Sequence, residues 1–199
     1  MLGLPPAWAE LATLDPQDVC ARAAVEYSEG NGYTVPVFGL PVVVDPAERT
    51  MTSPSPEAEY LLTEVPYYSH LSILHYLLQA KNIPPFGTLL KPSELKSRMI
   101  YMKGAHVLPL EPIAARFAID APGFLAHGAL YNGQPREYGD AGVELLPLPR
   151  VPITMILWEE DDEYPARCYM LFDGVCELQL PDDVLWTVAM MTAAAMSKE

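Results

Sequence analysis

The sequence predicts an α+β fold: a mainly antiparallel sheet with helices inserted between an N-terminal and a C-terminal group of strands. Two observations predict it. Extended, β-branched runs gather at 33–52 and again at 143–172, while stripes with helical spacing occupy the stretch between them. The 21 prolines are spread along the chain, which favours short elements with many defined connections over long helices or wide inner strands.

The elements follow in order. Asp15-Pro16 joins a capping side chain to a proline at the first helical position. Val19, Cys20, Ala23, Ala24 and Tyr27 then share one helix face, and Gly30-Asn31-Gly32 ends it. Tyr33 to Phe38 and Pro41 to Val44 read as strands around Gly39, with Arg49 to Thr52 as a third after the Asp45-Pro46 turn. The strongest helix runs from Tyr60 to Ala80, broken near Pro66, with Ser69 as a cap for its second half. Leu71, Leu74, His75 and Leu78 form its stripe, and Ile73 and Leu77 widen it, so this helix belongs at the core. Asn82-Ile83-Pro84-Pro85 stops it. A helical turn at Pro92 to Ser97 and short helices at Leu110 to Ile119 and Pro122 to Leu130 complete the insert. Val143 to Leu148, Val151 to Trp158 and Arg167 to Phe172 are strands, the last two joined by the acidic hairpin Glu159 to Glu163. Asp182 opens a final helix, Asp183 to Met196. The whole chain, 1–199, reads as one domain.

Charge narrows the function classes. A formal net charge of −14, from 26 acids against 12 bases, repels phosphate backbones and anionic lipid, so neither nucleic acid nor a membrane surface is an expected partner. The first residues lack the basic start and apolar stretch of a secretory leader, and Val184 to Met196 is too short to span a bilayer. Three cysteines, Cys20, Cys168 and Cys176, make no disulfide framework. A reducing, cytoplasmic setting is the expectation. No glycine-rich dinucleotide loop, phosphate loop or nucleophile elbow occurs.

His75 heads the candidate site residues. It sits at the edge of an apolar stripe, where an imidazole serves either as an axial ligand to a metal or tetrapyrrole or as a core histidine bonded to a carbonyl. His70, five positions earlier, lies about 140° around the helix and does not form a one-face pair with it. His106 and His127 have no partner visible in the spacing. Cys168 alternates with Arg167 and Tyr169, on the same strand face as Met170 and Phe172, as a buried small residue or a cofactor contact. Tyr76, with Tyr67 and Tyr68, and the Met99, Tyr101 and Met102 cluster offer a lining for a flat ligand or filling for the core. Asp140 joins His75 as a candidate metal ligand, and Asp140 or Glu144 with His75 supplies the acid–base pair of an enzymatic alternative. The Glu159 to Glu163 run is a solvated hairpin tip or a docking surface for a basic partner.

Several short stretches together resemble the domain of unknown function 3786, found mostly in anaerobic bacteria and archaea. They are Leu14-Asp15-Pro16 with the helix after it, Leu74-His75-Tyr76-Leu77-Leu78 with Ala80-Lys81, Gly87 and Ser93-Glu94-Leu95. Gly139-Asp140, Leu148-Pro149-Arg150-Val151-Pro152, Leu157-Trp158-Glu159, Phe172-Asp173 and Leu180 to Leu185 continue the pattern. Thr88 and Leu89 depart from its tryptophan-containing middle stretch, and Gly174-Val175-Cys176 departs after Phe172-Asp173. The resemblance implies a place beside redox or metal-cofactor chemistry in anaerobes, since members adjoin small iron–sulfur domains and corrinoid-dependent methyl-transfer proteins. It implies no reaction and no catalytic residue. The expected role is therefore an accessory or cofactor-handling protein binding a metal cofactor, a tetrapyrrole (haem or corrinoid) or a metalloprotein partner. The alternatives are a small-molecule enzyme using His75, and an interaction subunit, including a homo-oligomer built on the uncharged final helix.

Overall fold

Proline marks where the helices begin. In the computed structural model, which describes residues 3–95 and 107–198, six α-helices carry proline in their first turn. They are α1 (Leu4–Leu11), α2 (Pro16–Ala23), α3 (Pro56–Glu64), α4 (Pro66–Gln79), α5 (Glu111–Arg116) and α6 (Ala121–Leu130). A first-turn N–H has no partner within the helix, so its loss to proline removes no bond and the fixed φ suits the start. Asp15 and Asp120 finish two of these ends, accepting from the N–H groups of Gln17 at 3.0 Å and Gly123 at 2.9 Å. The helix expected to break near Pro66 does so, as α3 and α4. Ser69 does not cap the second half. It lies inside α4 and its hydroxyl donates to the Leu61 carbonyl at 2.8 Å.

The two groups of strands form one antiparallel sheet each. The N-terminal sheet has the order β1 (Glu26–Ser28), β2 (Gly32–Val37), β3 (Leu40–Asp45), β4 (Thr50–Thr52). Tyr27, expected on the face of α2, is in β1 instead and pairs with Tyr33. Helix α2 stops at Ala23 because Ala24 takes the left-handed conformation (φ 54°), and the following residues gain a ladder by folding back on β2. Gly32 is obligatory at the start of that return, since its φ is 81° and a Cβ there would stand 2.2 Å from the Val44 carbonyl oxygen.

The C-terminal sheet comprises β5 (Leu89–Leu90), β6 (Gln134–Arg136), β7 (Ala141–Leu148), β8 (Val151–Trp158) and β9 (Arg167–Asp173), in the order β5-β9-β8-β7-β6. Its inner face, including Val143, Leu145, Met155, Leu157, Met170 and Phe172, is buried. Helix α7 (Cys176–Gln179) leads from β9 into α8 (Asp182–Ser197), which packs on α4, α5, α3 and β7. The apolar stripe of α4 (Leu71, Leu74 and Leu77, with Ile73) is buried beneath it, and Ser72 and Thr187 join hydroxyls at 2.9 Å across the seam. Each such leucine contributes about 1.5–3 kcal/mol by leaving water. Among the described residues no helix is long and apolar enough to cross a membrane. The Met99, Tyr101 and Met102 cluster, His106 and the end of the Pro92–Ser97 turn lie outside the described residues; a 3₁₀ turn covers Pro92–Glu94.

Candidate functional site

The buried seam around α4 holds two of the expected site residues. His75 is fully buried, and its Nδ1 lies 3.1 Å from Nε2 of Gln79 one turn later. Tyr76 is also fully buried; its hydroxyl donates to the Ala23 carbonyl at 2.8 Å and takes a hydrogen bond from the Arg150 backbone. Burial pushes the Tyr76 phenol up from its ordinary pKa, so it stays protonated. Arg22 closes the C-terminal end of α4, reaching the Leu77 and Ala80 carbonyls at 2.6 and 3.2 Å, and Arg150 in turn holds the Arg22 carbonyl at 2.8 Å. These bonds tie α2, α4 and the β7–β8 turn into one joint, where Tyr76 acts as a tie rather than a wall for a ligand.

Asp140 and Cys168 lie elsewhere, on either side of β8. Leu157 pairs with both Ala141 and Cys168, so the two candidates are two strands apart, about 10 Å. Asp140 accepts the Glu159 N–H at 2.8 Å, and Glu159 accepts the Ala121 N–H at 2.7 Å. The carboxylates thus link the end of β8 to the start of α6. Glu144 is paired with Arg136 at 2.6 Å on the exposed sheet edge. Cys168 is buried, and desolvation pushes its thiol up to about 12. Such a thiol is a poor nucleophile at neutral pH. Cys176 is buried too, its thiol pushed up and donating to the Pro152 carbonyl. In the acidic hairpin, Asp161 accepts from the N–H groups of Glu163 and Tyr164, which hold its carboxyl below the ordinary range.

No group of three or more histidines, cysteines and carboxylates able to hold a metal occurs among the described residues. His127 serves the fold: its Nε2 contacts the Ala195 carbonyl at 2.9 Å, and burial lowers its pKa.

Two residues that residue pattern alone does not mark as site residues, Asp173 and Gln179, hold the C-terminal half together. Asp173, buried at the end of β9, accepts three backbone N–H bonds, from Phe86, Gly87 and Val175, at 2.7–3.0 Å. Gln179 accepts from Lys81 N–H at 2.8 Å and donates to the Ile83 carbonyl at 3.2 Å. Together they clasp the proline-rich 80–87 connection. Asp173-Gly174 after an extended run is a visible turn signal, but nothing in its spacing points to a connection nearly ninety positions earlier.

Two open cavities lie away from these joints. The outer face of the C-terminal sheet carries a groove of about 460 Å³ lined by Lys91, Ile156, Trp158, Arg167, Tyr169 and Leu171. Beside it a hollow of about 570 Å³ runs between α5 and β9, lined by alanines, Leu110, Pro165 and Cys168, by the carboxylate-bearing Glu111 and Glu160, and by Arg167 and Tyr169, which it shares with the groove. His75, Tyr76 and Asp140 line neither of them. The groove is a cross-strand construction, since Ile156 faces Tyr169 and Trp158 faces Arg167.

A family model for a domain of unknown function matches residues 15–195, nearly the whole chain. The chain belongs to that family, domain of unknown function 3786. No curated protein and no solved structure matches it. The stretches that carry the family resemblance are largely the joints described above. Asp15 caps α2, Tyr76 and Arg150 close the α2–α4 joint, Asp140 and Glu159 link β8 to α6, and Asp173 clasps Gly87. In this chain those positions hold the fold together, while Trp158 opens onto the groove of the C-terminal sheet.

Proposed function

We propose that this protein is a cytoplasmic accessory protein that handles a metal cofactor, a tetrapyrrole or a metalloprotein partner, binding rather than transforming it. One observation carries the reading. Tyr76, Asp140 and Asp173 are engaged in backbone joints and Cys168 is a buried neutral thiol, whereas aromatic and cationic side chains gather in an outward groove on the C-terminal sheet. The acidic surface favours a basic partner or a cation-bearing one.

Protein purified from its native host without oxygen, examined by absorption spectroscopy and metal analysis and then titrated with haem and cobalamin, tests the proposal. A bound chromophore or metal, uptake of either cofactor, or co-purification of a metalloprotein is the expected result. A colourless, metal-free protein that takes up neither and retains no metalloprotein overturns it.

A further inference from the structure

The outer face of the C-terminal sheet departs from the rest of the surface in charge and in exposure. Lys91 and Arg167 stand on it in a chain whose formal charge is −14, and among the described residues neither lies within ion-pair distance of a carboxylate. Between them Trp158 and Tyr169 remain 46% and 43% exposed, an aromatic floor that a folded surface seldom leaves open beside two cations with no ion-pair partner among the described residues.

The floor is rigid. Its strands are central in the ladder, and the residues alternating with it, Leu157, Cys168 and Met170, are packed into the core. The Arg167 guanidinium is already seated 5.2 Å above the Tyr164 ring, which limits its freedom before anything binds.

Register gives the spacing. Leu90 pairs with Phe172, so Lys91 stands beside Leu171, four residues along β9 from Arg167. At about 3.4 Å per residue, and one strand spacing to the side, that places the two backbones roughly 14 Å apart, with Tyr169 midway. Both side chains are long enough to turn inward over the floor.

From this geometry we infer that the groove binds a flat, conjugated small molecule bearing two anionic groups, its face on Trp158 and Tyr169 and its anions on Lys91 and Arg167. This deepens the cofactor-handling reading and rests on it, naming a site and a ligand class. A broad acidic macromolecule is disfavoured, because the Glu159–Glu163 hairpin beside the groove repels an extended negative surface. A small dianion passes between those fields and meets the two cations at close range. The groove, at about 460 Å³, falls within the range of small-molecule sites.

Metal-free protoporphyrin IX, a flat ring with two carboxylates, is a suitable probe, followed by quenching of tryptophan fluorescence. The wild type is expected to bind it, with affinity falling at least about tenfold in Lys91→Met/Arg167→Met and in Trp158→Leu. The dimethyl ester of the probe should bind about tenfold more weakly, and raised salt should weaken the acid form. Leu146→Ser, on the same face outside the groove, serves as the control and should bind like wild type. All four positions have substantially exposed side chains, and circular dichroism checks that each variant folds.

Equal binding by wild type and groove variants, or none by the wild type, overturns the inference. So does a dimer in sedimentation that Trp158→Leu dissolves, which would make the face a contact between copies. Uptake of haem or cobalamin that the groove variants retain keeps the accessory role and rejects the groove. Porphyrin held in the groove of a protein that carries and acquires no metal cofactor does the reverse.

Discussion

The buried joint around α4 and the outer face of the C-terminal sheet contain comparable chemistry arranged to opposite ends. At the joint, Tyr76 and Arg150 spend both hydrogen-bonding directions on backbone atoms, and Arg22 caps a helix end. On the sheet face, Tyr169, Trp158, Arg167 and Lys91 stand in the open with no carboxylate partner among the described residues. The difference teaches that residue type alone does not mark a site. A polar group buried in a joint must find a partner or cost about 1–3 kcal/mol, so it is consumed by the fold. A polar group on a rigid exposed floor remains available to a ligand.

The comparison breaks most sharply at Asp173. Replacing it by alanine strands three buried or half-buried N–H groups, and stability should fall by about 4 kcal/mol, read as a lower urea midpoint. His75→Ala should cost about 3 kcal/mol by opening a hole in a fully buried helix face, while porphyrin binding by the folded fraction stays as in wild type. Lost binding at unchanged stability would instead return His75 to the role of ligand.

Two tyrosines sharpen the same point. Tyr76→Phe should lose about 2 kcal/mol, because two backbone groups lose their partner. Tyr131 is fully buried with a hydroxyl that has no hydrogen-bond partner among the described residues, so Tyr131→Phe should match or exceed wild type.

The smallest loss is alkaline. The folded Cys168 thiol is pushed up to about 12 from the 9.0 of an exposed thiol, so between those values the folded chain holds a proton that the unfolded chain releases. Stability is therefore full below about pH 9 and declines as pH rises toward 12, by about 1 kcal/mol at pH 10. Cys176 acts in the same direction. Chemical denaturation at pH 8 and pH 10 measures the loss, and Cys168→Ser should reduce it.

Much of the fold was legible because local chemistry carries it. Asp15-Pro16 does start a helix, Pro66 does split the long one, and Val151–Trp158 is the strand its β-branched run describes. Helix α1 was not legible, since Leu4-Pro5-Pro6 reads as punctuation until Ala7, Trp8 and Leu11 are buried against α4. The edge strands β1, β5 and β6 were missed for a related reason: each is two or three residues long and exists through its neighbour's ladder.

The candidate site was legible only in part. Helical spacing correctly put His75 toward the apolar stripe, and strand alternation correctly put Cys168 inside with Met170 and Phe172. The same alternation placed Arg167 and Tyr169 outward, but what it cannot contain is their meeting with Trp158 and Lys91, which depends on register between three strands.

By itself, then, the sequence determined the α+β class, the order of the main elements, the acidic charge and the family to which the chain belongs, because these are local or additive properties. The tertiary structure decided that the strands form two sheets, that the polar residues of the stretches resembling the family serve as joints in this chain, and that Lys91, Arg167 and the exposed aromatics share one outer groove. Those facts depend on pairings between residues as far apart as Lys91 and Arg167, and strand pairing across such distances is set by packing of the whole core.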